Sequence, residues 1–145
     1  MSCNTNHMDY KQLAKTAIQA KAMSYSPYSG FSVGAALLGS DGKVYTGCNI
    51  ESAAFSPTCC AERTALVKAV SEGVYDFTAI AIAGGPTKTT QSEYCYPCGM
   101  CRQMLYEFGG DELQVIVAKS EDDYNVHTLA ELLPHGFGRK DLGLV

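Results

Sequence analysis

The sequence predicts an α/β fold, one mixed sheet with helices packed against it. Three observations carry the prediction. A helical period of apolar residues comes first, a hairpin signal follows, and beyond it strands alternate with helices. The composition is globular: 145 residues, 46% hydrophobic and 18% charged, enough for one domain over 1–145 to bury a core.

Asp9 is placed to cap a first helix whose apolar residues Leu13, Ala14, Ala17, Ile18 and Ala22 follow the helical period. The run 24–30, rich in Ser, Tyr, Pro and Gly, stops it as a loop. Phe31, Val33, Ala35 and Leu37 alternate as a strand, Asp41-Gly42 turns the chain, and 44–49 returns. After the turn-rich 52–58, a helix is expected over 60–72, ended by Gly73. A strand over 77–83 follows. Pro97 then opens a helix over 98–108 that Gly109-Gly110 closes. The last elements are a strand over 113–118 and a short helix over 129–133, capped by Thr128 and stopped by Pro134.

Charge and length exclude several classes. The net charge of -4 and pI near 5.3 lack the positive field that a phosphate backbone requires, so no nucleic acid partner is expected. No apolar run approaches the ~20 residues that span a bilayer, and the polar N-terminal residues carry no export signal. Seven cysteines cannot all pair with one another. A cytoplasmic location with reduced thiols is expected, and clustered thiols then read as metal ligands or catalytic groups.

The chemistry concentrates in Cys60-Ala61-Glu62 and Pro97-Cys98-Gly99-Met100-Cys101, both at expected helix starts. Thiols three positions apart on a helix share a face, so Cys98 and Cys101 can grip one ion. Helix N-termini favour thiolate, the form zinc needs. Cys60 makes three ligands, whereas structural zinc sites close with four and catalytic sites keep a position for water. Zinc lowers the pKa of that water toward ~7, and Glu62, two residues past a ligand, can carry its proton to a leaving group. Three thiolates over-neutralise Zn²⁺. Arg63 is placed to offset them by donating to a ligand sulfur.

Cys-Ala-Glu followed by Pro-Cys-x-x-Cys resembles the zinc nucleoside deaminase signature. The chain is more narrowly similar to the small cytidine deaminases that act on free nucleosides. The motifs are Tyr25-Ser26-Pro27-Tyr28-Ser29 with Phe31-Ser32-Val33-Gly34-Ala35-Ala36-Leu37, Gly47-Cys48-Asn49-Ile50-Glu51, and Cys60-Ala61-Glu62-Arg63-Thr64-Ala65. They continue through Pro97-Cys98-Gly99-Met100-Cys101-Arg102-Gln103 to Glu131-Leu132-Leu133-Pro134. The resemblance implies a three-layer fold, a mixed five-stranded sheet with helices on both faces, assembled as a homotetramer. It implies hydrolysis of cytidine and deoxycytidine to uridine and deoxyuridine in pyrimidine salvage, with one Zn²⁺ per subunit. It further implies that Asn49 and Glu51 bind the ribose hydroxyls, that Phe31 and the backbone at Ala61 hold the base, and that Phe137 enters a neighbouring subunit's site.

Blander readings stand beside these. Cys60, Cys98 and Cys101 would form a structural knot if Cys59 or Cys95 supplied a fourth ligand. Cys3, Cys48, Cys59 and Cys95 are assigned no chemistry. Glu62 alone would complement a helix dipole, and Phe31 and Phe137 alone would be core. His7, His127 and His135 sit at no ligand spacing and read as solvated. The rival functions are a deaminase of a cytosine-containing antibiotic such as blasticidin S, a polynucleotide-editing deaminase, and a non-enzymatic zinc-stabilised module. Asn49-Ile50-Glu51 and the C-terminal Phe137 favour a nucleoside over the antibiotic, and only 11 Lys and Arg argue against a polynucleotide.

Overall fold

The computed structural model describes residues 9–145, so the readings made for Cys3 and His7 lie outside the described residues. Helix α1, Tyr10–Ala20, starts where expected: the Asp9 carboxylate accepts the Gln12 amide at 3.0 Å. A 3-10 turn, Lys21–Met23, then takes Ala22 out of the helix proper. Strands β1 (Phe31–Gly39) and β2 (Val44–Cys48) form the hairpin, with Gly42 at φ 84° supplying the turn. Helix α2 spans Ala61–Ser71, strand β3 Phe77–Pro86, and helix α3 Gly99–Gly109. Strands β4 (Gln114–Ser120) and β5 (Asp123–Thr128) and helix α4 (Leu129–Leu132) follow.

The sheet order is β2-β1-β3-β4-β5. β3 and β4 run parallel and every other neighbouring pair is antiparallel, which is the mixed five-stranded sheet that the resemblance implies. Residue patterning alone identifies four of these strands. β5 escapes it because Asp123, Asn125 and His127 alternate with only Tyr124 and Val126, and none of the strand is buried. An edge strand of this kind is held by its backbone ladder to β4 more than by burial.

Alternation along the strands sorts two cores. Ala36, Ala79, Ala81, Ala83 and Ile116 face Leu13 and Ala17 of α1 on one side. On the other, Ala35, Leu37, Ile80, Ile82, Val115 and Val117 meet Ala65 and Leu66 of α2 and Leu105 of α3. The result is three layers: α1, the sheet, then α2 with α3.

Missing side chains seat the helices. A Cβ on Gly34 would collide with the Ala17 carbonyl oxygen, so α1 lies directly on β1. A Cβ on Gly47 would collide with the Ala61 carbonyl oxygen and come within 2.5 Å of the Ala65 amide nitrogen. The first turn of α2 therefore rests on bare β2 backbone, which fixes the height of Cys60 and Glu62 above the sheet.

Gly47→Ala is expected to cost at least the ~1–3 kcal/mol typical of overpacking, because backbone rather than a flexible side chain must yield. Urea unfolding checks this, and zinc content should fall with it as α2 lifts. An unchanged midpoint with full metal would show that α2 is seated elsewhere.

Candidate metal centre and active site

Both helices of the third layer begin at the same place. Cys60 is the N-cap of α2 and Cys98 the N-cap of α3, each with extended backbone, ψ 155° and 167°. Neither side chain caps its own helix, so both thiols are free to converge. Cys98 thus stands just before the helix rather than on it, and it still meets Cys101 of the first turn: their sulfurs are 3.4 Å apart. Cys60 Sγ lies 3.8 Å from Cys98 Sγ, and all three sulfurs fall within 4.8 Å of one another. Ligands held at about 2.3 Å around a tetrahedral ion sit about 3.8 Å apart, so this donor set fits zinc. Cys101 is buried, Cys60 half-buried and Cys98 exposed, which leaves the cluster open on one side.

The electrostatics favour thiolate at Cys60. A hydrogen bond from the Cys101 thiol, reinforced by Arg63, holds Cys60 down at about 5, while that same bond and burial push the donor Cys101 up. Arg63 Nη2 lies 3.6 Å from Cys60 Sγ and donates to the Thr58 carbonyl at 3.3 Å. Glu62 is 4% exposed. Burial pushes its carboxyl above the usual carboxylate range, against the opposing hydrogen bond with the Cys101 thiol. That contact brings the carboxylate and the thiol cluster together.

Among the described residues no fourth ligand joins the cluster. The Cys59 thiol instead accepts the Thr64 hydroxyl at 3.4 Å. Cys95 is packed beside Gly84, and burial raises its thiol to about 11. The structural-knot reading loses both of its candidates.

Residues 49–51 run beside the centre, since Ile50 and Cys59 exchange both backbone hydrogen bonds at 2.9 Å. The Asn49 amide is spliced into the start of β1: Oδ1 accepts the Val33 amide and Nδ2 donates to the Phe31 carbonyl, both at 2.8 Å. One Nδ2 proton remains. Glu51 Oε1 accepts the Tyr28 and Ser29 amides at 3.0 and 3.1 Å, and Oε2 accepts the Ser29 hydroxyl. These bonds, the hydroxyl's foremost, hold the Glu51 carboxyl below its ordinary range. Phe31 is partly buried, its ring edge over Gly84, and Ala61 is fully buried at the head of α2. Phe137 is not core: it is 59% exposed. Its carbonyl accepts Gln103 Nε2 at 2.7 Å, so α3 pins the backbone while the ring stands off the chain.

Sequence reasoning missed two braces. Arg102 donates from Nε to the Pro97 carbonyl at 2.7 Å and from Nη1 to the Leu132 carbonyl at 2.6 Å, tying the Pro97-Cys98 turn to α4. His127 is not simply solvated. Its Nε2 meets the Tyr96 hydroxyl and its Nδ1 the Glu131 carboxylate, each at 3.3 Å. The spacing of His127 and Glu131 hinted at such a pair, but nothing in the sequence names a carbonyl as an arginine's partner.

A family model described as the cytidine and deoxycytidylate deaminase zinc-binding region matches residues 7–117, a span that contains all three thiols and Glu62. The cytidine deaminase of Sporosarcina psychrophila is 44% identical over 138 residues, 93% of this chain and 96% of that protein. The chain belongs to the cytidine deaminase family. Its chemistry is accordingly hydrolytic deamination. The cytidine deaminase of Halalkalibacterium halodurans is also 44% identical, covering 93% of this chain and 98% of its own. The fold agrees. The crystal structure of cytidine deaminase from Burkholderia pseudomallei superposes with a TM-score of 0.81 at 40% identity, over 90% of this chain and 100% of that one. No helix among the described residues is long and apolar enough to cross a membrane.

Groups that orient metal ligands are worth about 10–100-fold in metal affinity. Arg102→Ala is expected to weaken zinc binding by that factor, read by competition with a chromogenic chelator. Wild-type affinity would show that the turn needs no brace.

Proposed function

We propose that this chain converts cytidine and deoxycytidine to uridine and deoxyuridine with release of ammonia, as a step of pyrimidine salvage in the cytoplasm. The observation that carries the reading is a buried carboxylate, Glu62, against a cluster of three thiols rather than four. A closed four-ligand centre would have no use for it. Reduced thiols as ligands suit a reducing compartment.

Cys60, Cys98 and Cys101 hold one Zn²⁺ per subunit. Zinc, when bound, supplies the Lewis acidity that makes water a nucleophile near neutral pH. Glu62 accepts, in two successive transfers, both protons of the water that attacks carbon 4 of the ring. It delivers one proton to the ring nitrogen beside that carbon and another to the departing amine, so cytidine and water leave as uridine and ammonia. Arg63 offsets the surplus negative charge of three thiolates. Phe31 packs against the base and the backbone at Ala61 holds its edge. The remaining Asn49 proton and the Glu51 carboxylate take the ribose hydroxyls.

The exposed ring of Phe137 supports a homotetramer in which each subunit closes a neighbour's pocket, since excluding water strengthens the electrostatics inside. Gly136 and Gly138 flank it on a segment just past α4.

An absorbance assay with cytidine, run beside blasticidin S, tests the substrate reading. Glu62→Gln is expected to keep zinc and fold but lose turnover beyond the ~10²–10⁴-fold of one acid–base step, because the carboxylate serves several. Near-normal turnover would return Glu62 to a helix-dipole role.

For Phe137→Ala, a strongly raised Michaelis constant with intact zinc is expected. Mixed tetramers of Phe137→Ala and Glu62→Gln subunits should regain some fully active sites. Mixtures showing only the Phe137→Ala level per intact Glu62 would mean that the ring acts within its own chain or not at all.

A further inference from the structure

Beneath the loop that precedes β1 lies a group of hydroxyls that the chemistry above does not use. Ser26 and Ser32 are both buried. Ser26 Oγ is 3.1 Å from Ser32 Oγ and 3.0 Å from Thr87 Oγ1, and Ser32 Oγ is 2.8 Å from Thr87 Oγ1. The three oxygens form a closed triangle. Ser24 adds a fourth hydroxyl, donating to Ser32 Oγ at 2.6 Å. Each hydroxyl has one proton to give, so a cyclic arrangement satisfies the triangle with none left over.

The triangle joins three separate pieces of chain. Ser26 belongs to the loop 24–30, Ser32 to β1, and Thr87 follows β3 directly. Backbone bonds close the same junction: Gly30 donates to the Ser26 carbonyl at 3.1 Å and Thr87 to the Gly30 carbonyl at 2.8 Å. The next residues of this loop, Tyr28 and Ser29, are the ones whose amides and hydroxyl grip Glu51. The loop thus has a sheet-side anchor at Ser26 and a site-side hand at Tyr28-Ser29. Backbone amides can aim a carboxylate only as well as their own loop is held.

We propose that Ser26, Ser32 and Thr87 are positioning residues for sugar recognition, acting through the Tyr28-Ser29 amides to aim the Glu51 carboxylate at the ribose hydroxyls. The inference rests on the reading of Glu51 given under Proposed function. It assigns specificity to hydroxyls that touch neither substrate nor metal.

The test compares cytidine with 2′,3′-dideoxycytidine, which offers no sugar hydroxyl to Glu51. Thr87→Val removes one corner of the triangle at an exposed position, and Ser26→Ala removes another. Each should raise the Michaelis constant for cytidine about tenfold, the worth of a misaimed hydrogen bond to a charged group, with kcat near wild type. For dideoxycytidine the constant should move less than about twofold on the same scale. Thr87→Ser, which keeps the hydroxyl, should restore cytidine binding, and zinc content and thermal midpoint are measured for every variant. Equal effects on the two substrates, or none on cytidine, would overturn the proposal. Glu51→Gln separates the two levels of the argument. If it discriminates between the substrates and the hydroxyl variants do not, the triangle is only structural and Glu51 keeps its role. If Glu51→Gln itself does not discriminate, the sugar reading of Glu51 falls and this inference with it.

Discussion

Three sulfurs within 4.8 Å of one another set the problem that the rest of the chain answers, because thiolates so close repel unless positive charge surrounds them. The protein brings that charge from backbone and side chain together. Two helices start at the cluster, each with a ligand as its N-cap, so the partial positive ends of α2 and α3 meet there. Arg63, in the first turn of α2, lies against Cys60 and spans to the Thr58 carbonyl. Without these the thiols would hold their protons more tightly, and zinc would have to displace them at greater cost.

Convergence of this kind demands tolerances that helices alone cannot keep. The sheet supplies them. Bare backbone at Gly47 lets the first turn of α2 sit against β2, and Arg102 fastens the start of α3 to α4 across the Pro97 and Leu132 carbonyls. Glu62 and Cys101 are buried at the cluster, while Cys98 is exposed. A carboxylate in such a place keeps its proton more readily than one in water.

Three aromatic rings, Tyr28, Phe55 and Phe137, stay in contact with solvent. Tyr28 and Phe55 meet edge to face at 5.9 Å, and both remain exposed. Phe137 projects from a backbone that Gln103 holds in place. Fixing a backbone costs conformational entropy, and fixing one that presents an apolar ring to solvent recovers little of it by burial. Closure of a neighbour's pocket, as proposed, would bury such a ring, which is why the tetrameric proposal goes with the catalytic one.

Much of this was legible in the residues. Local chemistry decides helix caps, hairpin turns and strand alternation, so Asp9, Gly42, β1 and the two ligand-bearing helix starts were readable one segment at a time. The thiols and Glu62 were readable for a related reason: ligand spacing on a single turn is a local property, and the pairing of Cys98 with Cys101 follows from it. The fifth strand was not readable from its own residues, because a polar edge strand is defined by its neighbour's hydrogen bonds. His127 and Arg102 looked ordinary for the same reason, since their partners are Tyr96, Glu131 and two carbonyls that only the folded chain brings near. Phe137 reads as core in one dimension and stands exposed in three. Segment chemistry determined what each piece of this chain is, while long-range packing decided which pieces face one another, because such contacts depend on distances no sequence interval encodes.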